Sequence, residues 1–175
     1  MRMARITHLA ERLAGSSRER LAERLSAAAY GTVLVLVSLG ALDAEDVSSG
    51  LGWEIVTGVG AATWLAHLYA EVVGDRVRSG SALDGKELGR AMFDGLPILL
   101  AAVAPALMLG LGRLDVLDHE VALWAAVAIA LGQLIGVGLF VGFSVSAPGV
   151  SLWPYAAVTA VIGIAVVTLK IALGH

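Results

Sequence analysis

Long apolar runs decide what this chain can fold into. Five of them punctuate the 175 residues, at 26–42, 51–73, 96–112, 120–143 and 153–173. A helix needs roughly 20 residues to cross the hydrocarbon core of a bilayer. Continuous apolar runs do not alternate as the strands of a membrane barrel do, so helices are the expected form. The first and third runs are short; they extend through flanking polar turns or stand nearly upright. The expected fold is an all-α integral membrane protein: a five-helix transmembrane bundle over 26–175, preceded by a cytoplasmic basic amphipathic helix at 1–25. Composition agrees. The chain is 58% hydrophobic and 15% charged, with a mean hydropathy of +0.82, whereas a soluble domain is typically about 25% charged. That leaves no room for a separate soluble domain.

The distribution of charge orients the bundle. Six arginines fall between Arg2 and Arg24, and Arg76, Arg78, Lys86 and Arg90 fall between the second and third runs. The other side holds only Arg113 and Lys170. Basic loops stay in the cytoplasm, so the N-terminus is expected inside. The acidic loop with Asp43, Glu45 and Asp46 is then external, and five crossings leave His175 outside. Trp53 and Trp124 fall at the outer interface, and Trp153 and Tyr155 at the inner one. Arg and Glu continue to residue 24 before the first apolar run, which is not the pattern of a signal peptide. Arginine far outnumbers lysine, and Ala, Gly, Val and Leu dominate, a composition typical of bacteria with GC-rich genomes. The expected location is therefore a bacterial plasma membrane.

Residues 2–25 read as helix in two pieces. Ile6, Leu9 and Leu13 form an apolar stripe, Gly15 ends the first piece, and Ser16 with Glu19 makes a capping-box pattern that starts the second. A basic amphipathic segment before a span lies on the inner leaflet or serves as a partner-binding arm. Residues 74–95 carry a further helix signal. Ser81 or Asp84 can cap it, with Leu83, Leu88, Ala91 and Met92 turned to the membrane. Pro97 suits the first turn of the third span, and Pro105 should bend its middle. Glu54, in the first turn of the second span, complements that helix's dipole.

The one sharp chemical hint lies in the second run. His67 and Glu71 are four residues apart and share a helix face. Ionisable groups at membrane depth face a partner, a cavity or a pathway. His67 lies roughly 10 Å deeper than Gly74 at 1.5 Å per residue. Running each span in its predicted direction places Tyr30, Gln133 and Thr159 at similar depth. Tyr30, His67, Glu71, Gln133 and Thr159 therefore form a candidate polar layer in the inner half. It serves either as an ion or proton pathway, because histidine titrates near neutral pH, or as hydrogen-bonding glue between helices, with His67 bonded to Tyr30 or to a backbone carbonyl. A metal site would require three or four ligands, and two are in hand, so none is expected.

Gly132, Gly136, Gly138 and Gly142 give the fourth run two Gly-x-x-x-Gly spacings. Small residues let helix backbones approach, either within the chain or in a homo-oligomer. Gly58 and Gly60 offer the same in the second run. Cysteine is absent, which excludes disulfides and thiolate chemistry. No Gly-x-Ser-x-Gly, His-Glu-x-x-His or phosphate-binding loop is present. No enzyme activity, cofactor or nucleic-acid partner is expected.

Residues 24–42 followed by 64–73 resemble the opening of a lysosomal and bacterial potassium-channel family. Ala-Tyr-Gly stands where that family has Phe-Ser-Asp, and five spans stand where it has six, so no site residue is carried over. Two functional expectations follow from the residues themselves. One is a small oligomeric channel or transporter-like protein for cations or protons, with His67 and Glu71 in the path. The other is a non-conducting membrane protein that binds a partner or lipid through its basic arm and glycine-lined faces.

Overall fold

A computed structural model describes residues 2–80 and 84–144, with short stretches at 157–158, 161–165 and 168; side chains are described from residue 19 onward. The described chain is helical throughout. Its elements run α1 (Arg2–Gly40), α2 (Ala44–Ser49), α3 (Leu51–Ser79), α4 (Gly85–Asp94), α5 (Leu96–Arg113) and α6 (His119–Ser144). Three stretches are long and apolar enough to cross a membrane: Glu19–Gly40, Gly85–Arg113 and His119–Gly142. They are compatible with a multi-pass membrane protein; they contain the third apolar run and all but the last one or two residues of the first and fourth. The second run lies within α3, which has 29 residues but is not among the three. Glu54, His67 and Glu71 dilute its hydropathy. The fifth run lies largely outside the described residues, and Thr159, Trp153 and Tyr155 lie outside them.

The N-terminal segment differs from its expected division. α1 is one helix of 39 residues and runs through Gly15 without a break. An isolated glycine costs about 1 kcal/mol against alanine inside a helix. Here it sits among strong helix formers (Leu13, Ala14, Arg18, Glu19), and neither the glycine nor Ser16 ends the helix.

α5 is the central element and packs against α1, α3 and α6. Its buried face is built of small residues: Ala101, Ala102, Pro105, Ala106 and Gly112, with Ile98 and Leu109. Its large residues Leu100, Val103 and Leu107 point outward and are about half exposed. α6 mixes the two sizes: Ala122, Ala126 and Ala130 are buried beside Leu123, Val127 and Leu134, while Ile135, Leu139 and Phe140 are exposed. Such an interior lets backbones come close. A Cβ on Gly31 would lie 2.9 Å from the Ile98 Cα, and one on Gly60 would lie 2.7 Å from the Ala102 Cβ. A Cβ on Gly112 would lie 2.7 Å from both Ala122 Cβ and Val47 Cγ1. The closest packing therefore falls on glycines of α1, α3 and α5. On α6, Gly132 and Gly136 are exposed, with no atom near their open side, whereas Gly138 is half-buried and Gly142 buried.

Two capped turns close one end of the bundle. The Asp43 carboxylate accepts from the Glu45 and Asp46 amides, while Asp46 accepts from the Asp43 amide at 3.0 Å. This reciprocal cap makes α2 out of what reads as an acidic loop. Gly50 then turns the chain in the left-handed region, φ 85°, and its amide donates to the Val47 carbonyl. Across the same end, the Asp118 carboxylate accepts from the Glu120 and Val121 amides at the start of α6.

Candidate functional site

At the other end of the bundle, three segments of chain enclose a cleft of about 620 Å³. The middle of α1, just past its midpoint, contributes Ala22, Glu23, Ser26, Ala27 and Tyr30. The C-terminal half of α3 contributes His67 and Glu71, and the end of α4 contributes Asp94. Helical spacing sets the two walls. Glu23, Ser26, Ala27 and Tyr30 fall at i, i+3, i+4 and i+7, one stripe of α1. His67 and Glu71 are one turn apart on the facing stripe of α3.

The third side depends on how α4 meets α5. Asp84 precedes α4 in extended conformation, and the Glu87 carboxylate accepts its amide at 3.1 Å. The helix begins there, as Asp84's cap signal predicts. α4 ends at Gly95, where α5 starts with proline in its first turn. A Cβ on Gly95 would lie 3.1 Å from the Trp64 Cδ1 and 3.4 Å from the His67 Cδ2. Glycine thus lets the α4–α5 junction lie directly on the α3 aromatic pair. The Trp64 indole N–H donates to the Met92 carbonyl at 3.3 Å and fixes the same contact. Asp94 is delivered to the rim as a result.

The charges in the cleft are unequal. Arg24 donates to a single oxygen of Asp94, through Nε at 2.9 Å and Nη2 at 2.8 Å. This pair straps α1 to α4. The side chain of Asp94 is 13% exposed and that of Arg24 52%. His67 Nε2 lies 3.5 Å from Glu71 Oε1, at the loose end of hydrogen-bond range, and both side chains are about one third exposed. Glu71 Oε2 is shielded from solvent and has no hydrogen-bond partner. Three carboxylates therefore line the cleft with no Lys or Arg among its described lining residues, and Arg24 beside it is already engaged by Asp94.

The structure brings together three of the five residues of the candidate polar layer, Tyr30, His67 and Glu71. It pairs His67 with Glu71 rather than with Tyr30. Gln133 does not line the cleft; it sits half-buried on α6, and its Oε1 is shielded and unpartnered. Thr159 lies outside the described residues. Glu23 and Asp94 are site residues that sequence reasoning missed. Glu23 reads as part of the basic arm, but its i+7 spacing to Tyr30 on α1 would have placed it on the cleft wall. Asp94 sits just before the third apolar run, at the end of the bundle that also carries Glu71. Among the described residues, no group of three His, Asp or Glu side chains is arranged to hold a metal ion.

The charged groups at the α2 end work differently. Arg113 lies 3.9 Å from Glu54, and His119 Nε2 lies 3.2 Å from Asp115 Oδ1. The first pair links α5 to α3 and the second is local, four residues apart; both lie on the exterior. No family model, no curated protein and no solved structure matches the chain.

Proposed function

We propose that the chain is a multi-pass bacterial plasma-membrane protein that binds cations or protons in the cleft between α1, α3 and α4 and passes them along it, as a small channel or transporter-like protein. In this reading all five apolar runs cross the bilayer, the N-terminus is cytoplasmic and the C-terminus external. The apolar exterior supports membrane insertion: α5 and α6 leave Leu100, Val103, Leu107, Ile135, Leu139 and Phe140 about half exposed. In water so much exposed apolar surface would drive association; in lipid it is the natural covering. The arginine distribution then puts the cleft at the cytoplasmic end.

One observation carries the functional part. Carboxylates from three separate segments, Glu23, Glu71 and Asp94, converge with His67 on one open cleft. Ionisable groups at membrane depth are costly, and they persist where a path or ligand uses them. The exposed, open backbone at Gly132 and Gly136 on α6 supports assembly into a homo-oligomer, which would supply the walls that one small subunit lacks. The test is flux of protons, potassium and divalent cations into proteoliposomes. The wild type should conduct at least one of these, and His67→Ala and Glu71→Gln should each reduce that flux by about tenfold or more, as loss of a pathway charge demands. A well-assembled wild type that passes none of them would leave the non-conducting, partner- or lipid-binding alternative.

A further inference from the structure

The shape and lining of the cleft say more about its occupant than that it is positive. Its volume of about 620 Å³ falls in the range of small-molecule sites, about 300–1,000 Å³, and far exceeds what a bare ion fills. Its carboxylates do not converge as metal ligands do; no set of three acidic or His side chains among the described residues could hold an ion. Its walls are mixed. Ala27 and its neighbour Ala22 offer methyl groups, and Tyr30, 56% exposed, offers a phenol ring. An aromatic face beside carboxylates attracts an organic cation, both through the ring quadrupole and through apolar contact. Finally, Glu71 Oε2 is a shielded acceptor with no donor. The carboxylate as a whole is therefore under-satisfied, which is costly; its Oε1 holds only His67 at 3.5 Å, and a ligand N–H reaching that oxygen from the cleft would add a charge-assisted hydrogen bond.

We infer that the cleft binds a protonated organic amine carrying an apolar body. Its ammonium N–H groups donate to Glu71, its positive charge is balanced by Glu71 and Glu23, and its apolar part lies against Tyr30 and the α1 alanines. Asp94 takes no direct part, because its charge is met by Arg24; that pair closes the rim. The inference rests on the reading of the cleft as a cation site and narrows it to a substrate class.

The experiment is calorimetric titration of the full chain in nanodiscs with 2-phenylethylamine, with 2-phenylethanol as the neutral isostere and potassium as the inorganic cation. Empty nanodiscs correct for partition into lipid. The amine should bind saturably, and the alcohol about tenfold or more weaker, as loss of a charge-assisted hydrogen bond requires. Glu71→Gln should weaken the amine by a similar factor, and Tyr30→Ala by about threefold, the scale of one cation–π contact. Glu45→Gln, on the far end of the molecule, should leave binding unchanged. If Glu71→Gln fails to assemble, Glu23→Gln and Tyr30→Ala, both at exposed positions, carry the test. Equal binding of amine and alcohol, or amine binding indifferent to these substitutions, overturns the inference. Inorganic cation flux that depends on His67 and Glu71, without amine binding, would overturn the substrate class and leave the cation pathway standing. Amine binding without inorganic flux would do the reverse, keeping the ligand and removing the inorganic path.

Discussion

The two ends of this bundle are built on opposite principles. At the end closed by α2, backbones touch and polar groups are satisfied. Val47 and Leu109 are fully buried, Gly112 sits between Val47 and Ala122, and both capped turns satisfy their amides. At the other end, the same α1 and α3 part around a cleft large enough for a small molecule, and a shielded carboxylate oxygen lacks a partner. Cores lose energy when they are left open or unsatisfied. One end therefore secures the fold, and the other gives up packing for a site. If this division is right, substitutions of similar size should have very different consequences at the two ends.

The largest effect is expected at Gly112. A Cβ there already falls 2.7 Å from two side-chain atoms, and a branched side chain has nowhere to go. Gly112→Val should destabilise by about 1–3 kcal/mol or more, the usual cost of overpacking. Ser26→Val, which adds bulk to the exposed cleft wall, should cost less than about 0.5 kcal/mol, as surface changes do. Thermal or denaturant unfolding in one detergent compares them. Equal losses would end the contrast between a tight end and an open end.

Gly50 comes next. Its φ of 85° is one that side chains resist, and the Arg113 guanidinium lies 2.6 Å from where a Cβ would stand. Gly50→Ala should cost about 1–2 kcal/mol from the left-handed conformation, with a further small cost from crowding against the Arg113 side chain. The paired substitution Gly50→Ala with Arg113→Ala should recover only that second part. Full recovery would show that crowding, rather than backbone conformation, fixes the residue.

How much of this was legible in the sequence follows the same divide. The apolar runs of α1, α5 and α6 announced themselves because a bilayer-length helix needs only local composition to be seen. Asp84 as a helix start and Glu54 in a first turn were legible for the same reason: each acts within one turn. The short helix α2 was hidden because its acidic residues read as loop, although Asp43 and Asp46 cap it. The unbroken α1 was hidden because Gly15 is a weak signal whose cost its neighbours outweigh. His67 and Glu71 stood out as polar residues in an apolar run. Asp94 and Glu23 did not, because their place in the site depends on how α4 and α1 dock against α3, and tertiary placement leaves no periodic trace. The glycines of α6 were the visible packing motif, yet close helix–helix contacts fall on Gly31, Gly60 and Gly112, each against a residue of another element.

A smaller effect should appear at the rim of the open end, where charge holds α1 to α4. Arg24 and Asp94 form the strap between α1 and α4, with Arg24 half exposed. Exposed ion pairs contribute about 0–1 kcal/mol, and two N–H groups on one oxygen put this one toward the upper part of that range. A double-mutant cycle of Arg24→Gln and Asp94→Asn should therefore give a coupling of about 0.5–1 kcal/mol. Coupling near zero would mean that the cleft rim is held by the Trp64–Met92 and Gly95 contacts alone.

The smallest effect on stability is expected at Glu71, and it is the most informative. Its Oε1 has one weak partner, His67 at 3.5 Å, and its Oε2 has none. Glu23 and Asp94 line the same cleft, so the site already holds two other carboxylates. Glu71→Gln removes a charge while keeping the shape and one acceptor oxygen. A residue that supports the fold should destabilise when altered in this way. A residue kept for function at the expense of stability should not, and such trade-offs are common at sites. Glu71→Gln is therefore expected to unfold at the same denaturant concentration as the wild type or higher, with a change within about 0.5 kcal/mol, while losing its flux or amine binding. His67→Gln, which keeps a polar side chain against Gly95, should behave alike in stability. A clear loss of stability in Glu71→Gln, with transport intact, would reverse the assignment: the pair would then be glue between α1 and α3, and the open end would be no more than an unfilled gap.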